Sequence, residues 1–170
     1  MPAVRTLAYR NTPYWLNFVF AGRAYSASHI YTIGVGATAY LELRTGARIA
    51  HILSFTGQAD GAGPILVQVR ENPTLTGGTT PPTALANMDR RSTKTPTMQV
   101  FINPAGISGG TVIETFLIAM GGGPKAAGSF AAFALEWALK PGSRYALSFA
   151  NQGSQNSSCY MSLVWCESDN

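Results

Sequence analysis

The chain carries two histidines, His29 and His51, and two cysteines, Cys159 and Cys166, the residue types that most often hold a metal or form a nucleophile and its base. A metal site needs such ligands at short fixed offsets, as in HExxH or CxxC, so that one turn or strand offers both to the same ion. Neither histidine has the other, or a cysteine, at ligand spacing. Both are expected to be structural or surface side chains, with no metal and no cofactor bound.

Nucleophilic and acid-base chemistry find no better footing. A serine nucleophile wants a strained turn of the GxSxG kind, whereas Gly153-Ser154 and Ser157-Ser158 sit in a polar Gly/Ser/Asn stretch that reads as a hairpin connection. Gly121-Gly122-Gly123-Pro124-Lys125 suggests a phosphate cradle, but a P-loop lysine is followed by Ser or Thr at the start of a helix, and here Ala126, Ala127 and Gly128 follow. That segment reads as a loop tip. The acids Glu42, Asp60, Glu71, Asp89, Glu114, Glu136, Glu167 and Asp169 occur mostly singly, and their spacing singles out no glycosidase pair. Asn156-Ser157-Ser158 matches the glycosylation triplet, a pattern short enough to occur by chance. No enzyme is expected.

The elements that would position these groups are strands. Glycine (18) and proline (10) punctuate the chain at intervals of about one strand, the rhythm of a sandwich or barrel. Alternation is visible in Tyr25 to Ile33 and in Val35 to Leu43, where Tyr40, Glu42 and Arg44 oppose Ala39, Leu41 and Leu43. Arg48 to Phe55 follows, with residues 56–64 expected as an irregular turn, and Ile65 to Glu71 resumes. Residues 72–96 are rich in Pro, Thr, Gly and Asn and predict a long exposed loop, the kind that more often binds than merely connects. Thr97 to Ile102, Thr111 to Met120, Phe130 to Leu139, Arg144 to Ala150 and Cys159 to Cys166 complete the set.

The clearest strand is Ser143 to Ala150, with Tyr145, Leu147 and Phe149 on one face. Lys140-Pro141-Gly142-Ser143 before it is a type II turn sequence and predicts a hairpin joining 130–139 to 143–150. The helix-forming residues of Phe130 to Lys140 permit a helix there, and the turn decides for a strand. Cys159 and Cys166, seven apart on one strand, face opposite sides roughly 23 Å apart, so they cannot bridge each other. Two unpaired thiols suit a reducing compartment such as a bacterial cytoplasm.

Residues 1–22 stand apart. Arg5, Arg10, Pro13 and the aromatics Tyr14, Trp15, Phe18 and Phe20 read as an arm plus a first strand, and residues 23–170 as one β-sandwich domain. Aromatic side chains can stack on sugars or nucleotides. Trp137 and Trp165, in apolar strands, are better read as core, while Trp15 stands equally between the two roles.

Composition bounds the partners. Only 12% of residues are charged against 46% apolar, a surface poorly suited to solitary life in solution. No apolar stretch approaches the ~20 residues of a spanning helix, and residues 1–7 lack the apolar run of an export signal. The net charge of +4 is scattered, with Arg90-Arg91 the only adjacent basic pair, unlike the clustered footprint of a nucleic-acid binder. Neither membrane nor nucleic acid is an expected partner.

Several motifs, in order, are Arg70-Glu71-Asn72-Pro73-Thr74, Asn87-Met88-Asp89-Arg90-Arg91-Ser92, Gly109-Gly110-Thr111, Glu136-Trp137-Ala138-Leu139-Lys140-Pro141-Gly142 and Trp165-Cys166-Glu167. Over residues 25–167 the chain thereby resembles a family of small virion proteins of tailed bacteriophages and prophages. The resemblance implies a jelly-roll-like sandwich, which with the segments above makes an all-β antiparallel fold of about eight to ten strands; the first 24 residues, and so the extended N-terminal arm, fall outside the resemblance. It implies a virion protein that decorates or cements the capsid, with the major capsid protein and further copies of itself, as a trimer, for partners. The candidate contact residues are Arg10, Tyr14 and Trp15 in the arm and Arg90 and Arg91 in the long loop. The alternatives are a tail-tip or fibre domain binding a host surface glycan and a virion-borne hydrolase.

Overall fold

The structure, a computed structural model, describes residues 13–60, 63–78, 85–104, 106–118 and 137–169, and the backbone of 127–132. A helix, α1 (Tyr14–Phe20), precedes thirteen strands: β1 (Ala24–Ile33), β2 (Thr38–Arg44), β3 (Ile49–Asp60), β4 (Ile65–Glu71), β5 (Thr74–Thr76), β6 (Ala86–Asn87), β7 (Gln99–Ile102), β8 (Gly106–Ser108), β9 (Thr111–Ile118), β10 (Ala127–Ala132), β11 (Trp137–Leu139), β12 (Arg144–Asn151) and β13 (Ser157–Ser168).

One sheet runs β10-β3-β13-β1-β6 with β11 also on β3, the other β7-β2-β12-β4-β9, and β5-β8 form a small ribbon. Every pairing is antiparallel, and four of them are nested: β1 with β13, β2 with β12, β3 with β10 and β4 with β9. First pairs with last, second with second-last, and β1 to β4 alternate between the two sheets. That is the jelly roll, an all-β sandwich as the sequence predicts.

The alternation read from the sequence sets which faces meet. Leu41 and Leu43 of β2, Val67 and Val69 of β4, and Tyr145, Leu147 and Phe149 of β12 turn inward. Opposing them are Tyr25, Tyr31 and Ile33 of β1, Ile52 and Phe55 of β3, and Met161, Leu163 and Trp165 of β13. Rings meet across the gap, Phe149 lying 5.5 Å from Tyr31 and 6.3 Å from Phe55. Burying one such ring contributes about 1.5–3 kcal/mol over leaving it in water.

Nested pairing corrects the predicted hairpin. The turn itself forms, with Gly142 at φ 66° as a type II turn demands. The strands it joins do not pair, because β11 lies on β3 in one sheet and β12 lies between β2 and β4 in the other. The stretch 130–139 contributes the end of β10 and all of β11, with residues 133–136 outside the described ones.

Two further expectations change. Residues 56–60 are strand, because β3 is flanked there by β13 on one side and β10 on the other. Gly57 sits between Met161 and Phe130, where pairing on both edges overrides its weak strand preference. Residues 14–20 are helical where an arm and first strand were expected. Tyr14 and Phe18, four apart, meet edge to face at 5.1 Å, and Phe18 lies 6.2 Å from His51. Tertiary docking of this kind, more than propensity, holds a helix of seven residues. The first part of the expected arm, residues 1–12, lies outside the described residues.

Candidate functional site

The candidate contacts come from two segments far apart in sequence, α1 and the loop after β6. β6 pairs Ala86 and Asn87 with Ser26 and Tyr25 at the edge of the sheet, which brings the loop beside the helix. Lys94 Nζ donates to Ala21 O at 2.7 Å and Asn87 Nδ2 to Gly22 O at 2.9 Å, so the loop caps carbonyls at the C-terminal end of α1. Gly22 has φ 65°, and a side chain there would meet Ser92. Only glycine accepts both the backbone angle and the contact.

The loop is held by its own short polar side chains. Asn87 Oδ1 accepts the Asp89 N–H, Asp89 Oδ1 accepts the Arg91 N–H and Ser92 Oγ accepts the Lys94 N–H. These are local side-chain turns, the reason Asn, Asp and Ser dominate such segments. Asp89 also grips the Arg91 guanidinium at 3.0 Å, which holds its own carboxyl below the usual range. The 72–96 loop is thus partly built, with β5 and β6 inside it and residues 79–84 outside the described ones.

Of the expected contacts, Tyr14 and Trp15 are exposed on α1, and Arg90 and Arg91 are exposed on the loop. Phe20 at 67% and Met88 at 37% exposure belong with them and were missed by the sequence reading. Aromatic, thioether and guanidinium groups are thus exposed on two segments that the Lys94 and Asn87 hydrogen bonds join. Arg10 lies outside the described residues.

Residues of the other motifs lie elsewhere, in fastenings of the sandwich. Glu71 accepts from Lys140 Nζ at 2.8 Å and from Tyr145 OH at 3.1 Å, and the lysine holds its carboxyl below the usual range. Gly110, at φ 74°, lies so close to Glu71 O and Pro73 that a side chain would collide with backbone. Glu42, fully buried on the outer face, takes a two-pronged contact from Arg44 at 2.7 and 2.9 Å with Arg144 at 3.6 Å. It thereby offsets two guanidiniums that sit on cross-strand partners. Asp169 joins Arg23 to Arg48 at the end of β13.

A polar cleft of about 240 Å³ lies between β8 and the outer face of the β2-β12-β4 sheet, lined by Thr38, Tyr40, Gln68, Arg70 and Ser148. Another of about 300 Å³ is bounded by Glu71, Ile113, Trp137, Lys140 and Tyr145. Its acid, amine and phenol already bond one another. Among the described residues no group of three or more His, Cys, Asp or Glu could hold a metal ion, and no helix is long and apolar enough to cross a membrane.

His51 Nε2 lies 2.8 Å from Ser168 Oγ, and His29 packs edge-on to Tyr31 at 4.6 Å. The cysteines are both buried, Cys159 within the core between the sheets. Trp165 is wholly buried, Trp137 packs on the core yet stays partly exposed, and Trp15 is exposed. Compared with family models, with curated proteins and with solved structures, the chain matches none.

Proposed function

We propose that the chain is a structural, non-enzymatic component of a tailed-bacteriophage particle, a decoration or cement protein that stabilises the head through subunit contacts. The observation that carries this reading is that α1, with Tyr14, Trp15 and Phe20 exposed, is joined by the Lys94–Ala21 and Asn87–Gly22 hydrogen bonds to the loop on which Met88, Arg90 and Arg91 are exposed. Aromatic residues and arginine are the side chains that anchor protein interfaces. The partner is the major capsid protein, and the chain acts as a homo-oligomer. Linked copies bind their further sites at high effective concentration, so weak contacts add up. The protein is assembled into virions in the bacterial cytoplasm and binds neither membrane nor nucleic acid directly.

The test is addition of the purified chain to capsids lacking it, followed by sedimentation. Trp15→Ser combined with Arg90→Glu and Arg91→Glu should weaken coating at least about tenfold, the effect of 1.4 kcal/mol, with the melting temperature unchanged. Removal of residues 2–13 should leave a folded chain that no longer coats. Full coating by the triple variant rejects the surface.

The cleft lined by Tyr40, Gln68 and Arg70 favours a second reading, a tail-tip or fibre domain that takes a host glycan among its hydroxyl, amide and guanidinium groups. Binding to host cells with none to capsids would select it. Hydrolysis of cell-wall polymer by the isolated chain would restore the enzyme reading.

A further inference from the structure

A jelly roll leaves four sheet edges, and they differ in how they are finished. β6 is two residues long, and β7 four residues followed by Asn103 and Pro104. β9 is eight residues long and pairs only with β4 among the described strands. Thr111 through Thr115 are all exposed, with Val112 at 40% and Ile113 at 41%, and Leu117 follows at 54%. The strand holds no proline and no lysine, and Glu114 is its one charge. Edges that must stay single carry lysine, proline or inward charge, because open N–H and C=O groups otherwise template another strand.

We infer that β9 is a seam at which a second copy of this chain adds antiparallel, joining two five-stranded sheets edge to edge. The irregularity in the pairing of β4 with β9 leaves Ile113 opposite no β4 residue and confines regular pairing to Glu114–Ile118. A two-fold axis at Phe116 keeps each face in register. Thr115 then lies opposite Leu117 of the other copy and Glu114 opposite Ile118, so no like charges meet. Strand self-complementarity selects the second copy over a foreign peptide. This goes beyond the particle reading and is tested without capsids.

Sedimentation of the purified full chain should give twice the 18.0 kDa of one chain. Thr115→Lys with Leu117→Lys sets lysine against lysine across the axis and should return the mass to one chain, with the circular dichroism of the folded sandwich kept. If that variant does not fold, the register is read by Thr115→Cys with Leu117→Cys, which should cross-link two chains on mild oxidation while either single variant does not. A wild-type monomer, a trimer that survives the lysine pair, or cross-linking by the single variants alone would overturn the inference. Loss of the dimer with capsid coating intact removes this seam from the coating contacts and leaves the particle reading standing.

Discussion

The Glu167 carboxylate accepts the Met98 N–H at 2.8 Å, and the same group takes the Thr97 N–H at 2.9 Å and the Thr97 hydroxyl at 2.9 Å. Glu167 lies near the end of β13 in one sheet, and Thr97 and Met98 lead into β7 in the other, so one buried acid clamps the sandwich shut. Arg48, 3.9 Å away, supplies the countercharge.

Glu167→Gln keeps the shape but surrenders the charge and one acceptor. Hydrogen bonds to a charged group contribute about 1.5–3 kcal/mol, and the substitution should cost that much in denaturant unfolding. Glu167→Ala leaves the N–H groups of Thr97 and Met98 without their acceptor and should cost about 2–6 kcal/mol, at about 1–3 for each buried donor left unsatisfied. Equal midpoints for wild type and Glu167→Ala would refute the clamp.

The tryptophans separate in the same assay. Trp165→Ala empties a fully enclosed site and should cost about 3–5 kcal/mol. Trp137 keeps one face in the open cleft beside Ile113, so Trp137→Ala should cost less, about 1–3 kcal/mol. The Trp165 Nε1–H has no acceptor within the described residues, which lowers what Trp165→Phe forfeits. A larger loss at Trp137 than at Trp165 would reverse this packing order.

The fold was legible where side chains alternate against a single core. Tyr145, Leu147 and Phe149 predict their face because a strand has period two and each sheet has one dry side. Pairing partners were not legible, since Pro141-Gly142 dictates a turn in the backbone and says nothing about which sheet receives the next strand. Nor was α1, whose aromatics are indifferent helix formers and whose helicity comes with docking on His51. At the candidate surface, Trp15 and the arginines drew notice by type. Phe20 stood among the aromatics of that segment but not among its expected contacts, Met88 read as an ordinary apolar residue, and only the pairing of β6 with β1 brings the Met88 segment beside the helix.

Both thiols should be inert in the folded protein. Burial, with the Asp60 carboxylate nearby, pushes Cys159 up to about 11, so almost no thiolate exists at neutral pH, and Cys166 is fully enclosed. An aromatic disulfide reagent should find no thiol in the native chain and two after denaturation. Rapid labelling of either cysteine under native conditions would show that the sheets open far more readily than this packing allows.

Stability should decline on acidification in two stages. Burial lowers the His29 pKa from 6.5, so the unfolded chain takes up that proton first. The slope of stability with pH is positive wherever the unfolded state binds more protons. The His29 contribution is therefore complete above 6.5 and fades as pH falls through its lower folded value. Below that, Glu71 and Asp169 follow the same sign: Lys140 beside Glu71 and Arg23 and Arg48 beside Asp169 hold both carboxyls below their ordinary 4.5 and 3.8. Their contribution is present above those values and lost beneath them. Unfolding midpoints measured from pH 8 to 3 should be level, then fall in two steps. His29→Gln should erase the upper step and Glu71→Gln should shrink the lower one. A chain that grows more stable between pH 7 and 5 would contradict the assignment of His29 to a site that favours its neutral form.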